Sequence, residues 1–517
     1  MKILLIVFTY IGLSQAVGWD EFTELDEYVR SSEDVYGYDV IDIQKVPGVT
    51  IHILNMTSLK WFDGTGGVGE GASTSSRQRR FPETDPVASK NENSLVLTEK
   101  CHPGKDVMLV APGIAHEYAY FILCAIPGSD IPRPPYYNQT EVVQNLTEFS
   151  INTGAVSCLL RQIPNQPLYF VDEQNGTRPR IEDEILGYSW RLFIEENITD
   201  PTVIALFPMV KAAKQGVDTL IEYTTIVNPE IQIKEIMPTG FSKRGWTTWL
   251  LGCVDQRVFA MAPTVFDQLN FYEGIQGHFK SLGGWSWAMV PYWSVGIVYY
   301  LHHPRTQILA SHIDPLEYNE RLTMPKHLHG ATGDQFFLPD GTHYWFSNIT
   351  GEMHYTIFEN DHHDLGDHKP ALWENLENLF VSVKENNDDQ TGTIRLTTTS
   401  EPDYVKVWYA DTTNRTCEPN DNTNGTCRRD FRLDRFDLPT DTLIYHWEDT
   451  PIYLGDGVYE ATYSFRSDFG YRIMHMEAGF PGPNGRLMRV TSETNILPDV
   501  FPYPICVTPE ECQGVLK

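Results

Sequence analysis

The chain has 517 residues and a formal charge of −30, from 39 basic and 69 acidic side chains. A surface with this much negative charge repels nucleic-acid phosphates and anionic lipids. We therefore expect no nucleic-acid partner and no membrane insertion. At about 150 residues per domain, this length allows two or three domains.

The first residues have the pattern of a secretory signal peptide. Lys2 precedes an apolar run from Ile3 to Leu13, and small residues follow up to Ala16. This order predicts a signal peptide over residues 1–16, cleaved after Ala16, and an extracellular mature protein. No later stretch reaches ~18 consecutive apolar residues, so we expect no membrane-spanning segment.

Sequons and cysteines agree with that compartment. Eight N-x-S/T sequons predict a glycosylated surface, at Asn55, Asn138, Asn145, Asn175, Asn197, Asn348, Asn414 and Asn424. An even number of cysteines in an oxidising compartment favours disulfides.

Two cysteine pairs lie close together in polar, turn-rich sequence, which predicts the disulfides Cys417–Cys427 and Cys506–Cys512. The other cysteines are assigned no disulfide. Cys124, Cys158 and Cys253 lie in apolar runs typical of small buried side chains, and Cys101 stays unpaired.

The N-terminal part precedes the regular core. Residues 17–48 are acidic with little periodicity and are predicted to be a peripheral arm. Residues 63–94 are rich in Gly, Ser and charge, which predicts a mobile loop. Within it, Arg77 to Arg80 match the R-x-R-R pattern that proprotein convertases cut, but a solvated basic cluster is the favoured interpretation.

Residues 49–383 alternate between strand and helix patterns. Helical apolar spacing at 181–194 and 209–223 is followed by a strand before residue 242 and by another strand-like run at 258–262. This alternation predicts an α/β domain with a mainly parallel sheet flanked by helices.

Two further segments complete the chain. An aromatic-rich stretch at 267–315 is predicted to be a cap insertion whose aromatic residues mostly pack, while a few line a substrate pocket. Short alternating segments separated by turn residues at 384–500 predict a C-terminal antiparallel β-sandwich. Residues 501–517 form a tail.

A serine at a turn within residues 231–253 is the first candidate for catalysis. An apolar strand leads into Gly240 and Ser242, and a helical pattern follows. A serine held in a strained turn before a helix becomes nucleophilic when a base activates it and helix N–H groups stabilise an oxyanion. The G-x-S-x-G signature is incomplete because Arg244 occupies its fifth position and Gly245 comes one residue later. Taken alone, the pattern equally fits a helix-capping serine.

The partners of Ser242 are sought after later strands, in the order acid and then histidine that α/β-hydrolases use. Asp334 follows a strand-like run in a Gly-Asp turn and is the predicted acid, whereas Asp340 lies in a Pro-Asp-Gly turn and is read as structural. After the last predicted strand, either His362 or His363 is placed to serve as the base.

The loop that carries these histidines allows a second interpretation. His362, His363, Asp364, Asp367 and His368 together offer imidazole and carboxylate groups that suit zinc. A solvated histidine-rich loop explains them more simply, so we predict no metal and no cofactor.

Several strings carry a family resemblance. The most specific is SKRGWTTW from residue 242, supported by IPNQPL from 163, VDQRV from 254, the Gly-Asp turn at 333–334, residues 360–363 and RDFR from 429. Over most of residues 50–500 the chain resembles the PhoPQ-activated pathogenicity-related proteins, and within them the secreted autocrine proliferation repressor protein A group.

The resemblance implies an α/β-hydrolase core, similar to the hydrolase domains of prolyl oligopeptidases, with Ser242, Asp334 and His363 at the triad positions. It thereby favours His363 over His362. The backbone N–H of Lys243 is expected to be one oxyanion donor and that of Gly128 the second.

The expected function is that of a secreted serine hydrolase acting on an ester or peptide bond. A member of the group in an amoeba resembles an extracellular signal that restrains proliferation. The alternative is therefore a catalytically inert signalling protein that keeps the fold and binds a cell-surface receptor.

Overall fold

The structure is a computed structural model. It describes residues 18–32, 36–46, 49–59, 92–99, 107–110, 122–124, 141–153, 155–160, 163–164, 167–170, 173, 178–195, 198–229, 231–366, 368–376, 383–386, 391–398, 401–412, 428–433, 444–464, 470–481 and 487–517. The predicted signal peptide, most of the predicted 63–94 loop, Cys101, Gly128 and the Cys417–Cys427 pair lie outside these ranges.

The strands and helices of the described residues follow in chain order. The strands are β1 (Gly37–Val46), β2 (Val49–Thr57), β3 (Glu92–Glu99), β4 (Val107–Val110), β5 (Ile122–Cys124), β6 (Val156–Leu160), β7 (Leu168–Tyr169), β8 (Pro179–Arg180), β9 (Glu235–Phe241), β10 (Ala262–Thr264), β11 (Lys326–Ala331), β12 (Met353–Phe358), β13 (Val383–Asn386), β14 (Thr391–Thr397), β15 (Tyr404–Asp411), β16 (Trp447–Asp449), β17 (Ile452–Gly455), β18 (Val458–Ser464), β19 (Arg472–Pro481), β20 (Leu487–Thr491) and β21 (Asn495–Leu497). The helices are α1 (Glu24–Arg30), α2 (Glu141–Thr153), α3 (Asp183–Glu195), α4 (Leu206–Val227), α5 (Lys243–Val254), α6 (Phe271–Leu282), α7 (Val290–Ser294), α8 (Pro304–Ile313), α9 (Lys369–Asn375) and α10 (Pro509–Gln513).

A run of parallel strands forms the centre of the fold, in the order β6-β4-β9-β10-β11-β12. The antiparallel strands β1, β2 and β3 extend the sheet beyond β6. Every residue of α5 is buried, and α5 contacts β9, β10 and α4. This is the predicted α/β-hydrolase arrangement of a mainly parallel sheet flanked by helices.

The N-terminal region is more ordered than the predicted peripheral arm. Helix α1 begins with a capping box from Thr23 to Asp26, and β1 pairs with β2 over its length. The guanidinium of the buried Arg321 donates to the carbonyl oxygens of Gly18 and Glu21 and to the carboxylate of Asp26. The buried Arg321 therefore ties the segment before α1 to the hydrolase core.

Helices α6, α7 and α8 make up most of the predicted cap at residues 267–315. The cap packs against the C-terminal tail, because the backbone of Trp285 exchanges hydrogen bonds with Val515 and Lys517. Within the tail, Cys506 and Cys512 form the predicted disulfide.

The C-terminal strands form two packed sheets. One is β13-β14-β18-β17, and the other, β20-β19-β15-β16, is the continuation of the central sheet past β12. Ile394 and Leu396 of the first sheet pack with Met474 and Met476 of the second. The predicted antiparallel sandwich is thus present, and the pairing of Tyr355 with Thr491 joins it edge to edge to the hydrolase sheet.

Among the described helices, none combines the length and apolar character that crossing a bilayer requires.

Candidate active site

Ser242 lies between the end of β9 and the start of α5. Its backbone has φ 57° and ψ −129°, a conformation that is strained for a residue with a side chain. The side chain makes no capping hydrogen bond to α5, so the interpretation as a helix cap does not apply. A strained turn that leaves the hydroxyl unused is the geometry of a nucleophile elbow.

Gly245 explains how the elbow forms without a complete G-x-S-x-G signature. A Cβ atom at Gly245 would lie 2.8 Å from the oxygen of Gly240 and 2.9 Å from the oxygen of Thr264. The N–H of Ser242 also donates to Thr264 O at 2.9 Å. The first turn of α5 therefore presses against two strand ends, and the glycine one residue beyond the usual position permits that approach.

Asp334 and His363 form a buried pair at the same edge of the sheet as Ser242. Asp334 follows β11 and His363 follows β12, while Ser242 follows β9, a parallel strand of the same sheet that β10 separates from β11. Asp334 Oδ2 lies 2.8 Å from Nδ1 of His363. Asp334 Oδ1 accepts from the N–H groups of Phe336 and Phe337 at 2.7 and 3.0 Å. The carboxylate is therefore fixed by its own loop and holds the imidazole from one side.

The other ring nitrogen of His363 is free to act. Among the residues that the structure describes, its Nε2 is buried without a hydrogen-bond partner, so the bond to the Ser242 hydroxyl is not formed in this state. The rings of Phe336 and Phe337 lie 4.5 and 5.6 Å from the imidazole and shield it from water. In such enzymes the hydrogen bond between serine and histidine is often long in the free protein and shortens when substrate binds.

The predicted oxyanion donor Lys243 is the first residue of α5, where backbone N–H groups have no partner within the helix. Its helical position matches the residue after a nucleophile. The second predicted donor, Gly128, lies outside the described residues.

An ion cluster beside the elbow was not expected from the sequence. The buried Lys243 side chain pairs with Glu182 and lies 3.4 Å from Asp183, and Arg244 contacts Glu182 at 3.1 and 3.2 Å. Burial alone would raise the pKa of Glu182, but the charges of Lys243 and Arg244 lower it well below its usual range. The sequence signal was the acidic run at residues 182–184, whose partners lie about sixty residues away.

A pocket opens beside Ser242, and its empty space of about 830 Å³ includes solvent at its open mouth. Its wall is made mainly of apolar and aromatic side chains from α3, α5 and the cap, together with Phe336 and Phe337. A few cap aromatics thus line the pocket, as predicted, whereas others, such as Trp293, contact the tail.

His368, another candidate of the histidine loop, has acidic partners of its own. His368 Nδ1 lies 2.9 Å from Asp361 Oδ2, and its Nε2 lies 3.4 Å from Glu359. Burial would lower the pKa of His368, but these two acids raise it to about 9. His363 pairs instead with Asp334, so in the described part of this loop the two histidines do not share one set of acids.

The other predicted residues take peripheral positions. Asp340 forms an ion pair with Arg429 at 2.9 Å. Cys158 and Cys253 are buried thiols. Of the sequon asparagines, Asn348 is exposed and Asn145 is half-buried in α2, and Asn55 lies in β2. Asn138, Asn175, Asn197, Asn414 and Asn424 lie outside the described residues.

The strand order and the elbow define an α/β-hydrolase fold. The family model of the PhoPQ-activated pathogenicity-related protein matches residues 106–432. The chain belongs to this family. It is also 28% identical over 516 residues to autocrine proliferation repressor protein A of Dictyostelium discoideum, across 95% of this chain and 93% of that protein.

Solved structures with lower similarity include several esterases. Acetyl xylan esterase 1 from Thermoanaerobacterium sp. JW/SL YS485 is 13% identical with a TM-score of 0.41, over 69% of this chain and 94% of that one. The glucuronoyl esterase from Solibacter usitatus is 12% identical with a TM-score of 0.36, over 68% and 89% of the two chains.

Proposed function

We propose that the chain is a secreted, glycosylated serine hydrolase whose catalytic residues are Ser242, His363 and Asp334. The observation that carries the proposal is the buried Asp334–His363 pair, which lies at the same edge of the parallel sheet as the strained Ser242 elbow. An inert relative of the fold has no need to keep a strained serine and an oriented imidazole at one edge of the sheet.

In the proposed mechanism, His363 Nε2 takes the proton of Ser242 Oγ as the oxygen attacks an acyl carbonyl. The Lys243 N–H stabilises the resulting oxyanion. His363 then gives the proton to the leaving group, and an acyl-enzyme forms. Water, deprotonated by the same nitrogen, releases the acid and restores the hydroxyl. Asp334 keeps the Nδ1 proton in place and stabilises the imidazolium.

Patterns in the sequence support an extracellular setting for this activity. The signal-peptide pattern and the sequons support secretion and glycosylation, and the name of the amoebal relative supports a role in restraining proliferation. The alternative is an inert signal that binds a receptor. The open pocket beside Ser242 favours the hydrolase, because aromatic side chains line the space without filling it.

The proposal is tested by ester hydrolysis with single variants. Ser242→Ala and His363→Ala are expected to abolish turnover of p-nitrophenyl butyrate, while His362→Ala retains most of it. The matched control is Ser281→Ala, a buried serine outside the site. Equal turnover by Ser242→Ala and the wild type would refute the proposal, and loss in His362→Ala alone would make that residue the base.

A further inference from the structure

The pocket beside Ser242 carries information on the substrate itself. Ser242 and Lys243 lie on its wall, so a group that fills the pocket is attached close to the attacked carbonyl. The other residues that line the pocket therefore determine which substrate group binds there.

One part of the pocket wall is a packed aromatic cluster that the hydrolase core and the cap form together. Trp246 stacks on Phe266 with ring centroids 4.5 Å apart, and Trp190 stacks on Tyr292 at 5.3 Å. Phe271 contacts both tryptophans, at 5.5 and 5.8 Å. Rings that pack in this way hold one another in place, so this wall is preformed and apolar.

Another part of the wall comes from the cap and is held by the C-terminal tail. Trp285 lines the pocket, and its indole N–H donates to Cys512 O at 2.7 Å. The backbone of Trp285 also bonds to Val515 O at 3.0 Å. The disulfide between Cys506 and Cys512 constrains this part of the tail. Because Trp285 is bonded to the tail, its side of the pocket wall is also held in position.

The polar groups of the pocket are largely bonded to the protein. Asp183 accepts from the hydroxyl of Tyr292 at 3.0 Å and pairs with Lys243 at 3.4 Å. The hydroxyl of Thr306 donates to the carbonyl of Tyr300. Two polar side chains of the wall remain for a ligand. They are the indole N–H of Trp190, which is buried without a partner among the described residues, and the amide of Gln268.

A peptide is a poor occupant of such a wall. Each residue of a peptide brings a backbone donor and a backbone acceptor, and a buried donor or acceptor left unpaired weakens binding. A charged group is disfavoured further, because the Asp183 carboxylate already has its cation. A hydrocarbon meets neither cost.

The position of His363 decides which part of an ester lies in the pocket. The leaving oxygen must reach His363 Nε2 to receive its proton. His363 does not line the pocket, whereas Phe336 and Phe337, whose rings contact its imidazole, do. The leaving group therefore faces the histidine, and the acyl group faces the pocket.

We infer that the pocket binds an uncharged hydrocarbon acyl group, so that the substrates of Ser242 are medium-chain or aromatic esters rather than peptides. This inference rests on the proposed hydrolase function. It names the substrate class of that same site.

Chain-length preference is the direct test. Each buried methylene contributes ~0.8 kcal/mol, or about fourfold, so kcat/KM for p-nitrophenyl butyrate is expected to exceed that for the acetate by about tenfold or more. The octanoate should be better still, and an alanine p-nitroanilide should be far poorer. If kcat/KM for the acetate ester equals that for the octanoate, the inference is wrong.

Paired variants place the preference in this pocket. Met289→Glu adds a charge to the pocket wall and is expected to reduce the octanoate-to-acetate ratio at least tenfold. The matched control is Val290→Glu, whose residue is 42% exposed and does not line the pocket. That variant should keep the wild-type ratio, and an equal loss in both variants would count against the assignment.

A binding experiment separates this inference from the proposed catalysis. Methyl octanoate, a neutral probe, is added to Ser242→Ala, and the tryptophan fluorescence is recorded because Trp190, Trp246 and Trp285 line the pocket. A saturable change that methyl acetate does not cause supports the acyl pocket even if the wild type proves inactive. If the wild type hydrolyses esters but Ser242→Ala shows no such fluorescence change, the acyl pocket is refuted. The proposed hydrolase function is then still supported.

Discussion

Asp334 and His363 share a hydrogen bond of 2.8 Å between Oδ2 and Nδ1 although 29 residues separate them in the chain. Both side chains are buried. An imidazole bonded in this way carries its proton on Nδ1 and presents Nε2 as a base, which is the state that deprotonates a serine.

Asp334→Asn should therefore remove activity without removing the fold. The amide bonds to the imidazole in the wrong tautomer, and we expect kcat to fall by about 10⁴ while the circular dichroism spectrum is kept. Asp340→Asn is the control, because Asp340 pairs with Arg429 and not with the histidine. Comparable losses in both variants would show that Asp334 has no special place in the reaction.

Gly245→Ala should damage the elbow through crowding. Its new Cβ would meet two backbone oxygens at 2.8 and 2.9 Å, which cannot move without displacing β9 or β10. Overpacking of this kind costs ~1–3 kcal/mol of unfolding free energy, and ester turnover should fall as the elbow shifts. Urea denaturation and kcat measure the two effects.

Gly252→Ala in the same helix is the comparison. Its Cβ would meet the end of the flexible Met261 side chain, which can turn away. We expect nearly unchanged turnover. A loss of activity in this variant, with none in Gly245→Ala, would contradict the account of the elbow.

Glu182→Gln should destabilise the protein strongly. It leaves the buried side chains of Lys243 and Arg244 without their shared partner, and breaking a buried ion pair costs ~3–5 kcal/mol. Glu184→Gln is the control, since Glu184 only approaches Arg180 at 3.5 Å and is more exposed. Urea midpoints of the two variants should differ clearly, and equal midpoints would show that the cluster contributes little.

Acid should weaken the fold through buried histidines. Burial lowers the pKa of His278, His329 and His446 to about 3. The unfolded chain takes up these protons below about pH 6.5, while the folded protein does not until about pH 3. Between about pH 6.5 and pH 3 the unfolded state thus binds more protons than the folded state. In this range each histidine lowers the unfolding free energy by ~1.4 kcal/mol for every unit by which the pH falls.

Urea midpoints between pH 7.5 and pH 5 measure this loss. His329→Leu should reduce the slope with pH, because neither ring nitrogen of His329 has a partner among the described residues. His303→Leu, at an exposed histidine, should leave the slope unchanged. A flat profile in the wild type would mean that the buried histidines titrate normally.

The sequence predicted those features that depend on neighbouring residues. Ser242, Asp334 and the pair His362 and His363 each follow a strand closely, so strand patterns and loop chemistry proposed them, and only the family resemblance favoured His363 over His362. The polar strand β11 was harder to interpret, since Lys326, His327 and His329 are unusual in a central strand. The structure buries all three, with the two imidazole rings stacked 4.2 Å apart.

Features that arise from distant contacts could not be predicted. The partners of Glu182 lie about sixty residues along the chain, and Arg321 reaches carbonyl groups about 300 residues away. Likewise, no local sequence pattern predicts that β20 pairs with β12 and joins the sandwich to the hydrolase sheet. Such pairings depend on the completed fold rather than on periodicity.

The most direct test of the central claim is covalent labelling of the wild-type protein with a fluorophosphonate. An ordinary serine hydroxyl barely reacts, whereas one beside a general base and an oxyanion hole reacts readily. Peptide mass spectrometry should find the adduct on Ser242, and Ser242→Ala should remain unlabelled while folded. Folded wild-type protein that stays unlabelled between pH 6 and 9, or carries the adduct on another serine, would contradict the hydrolase account.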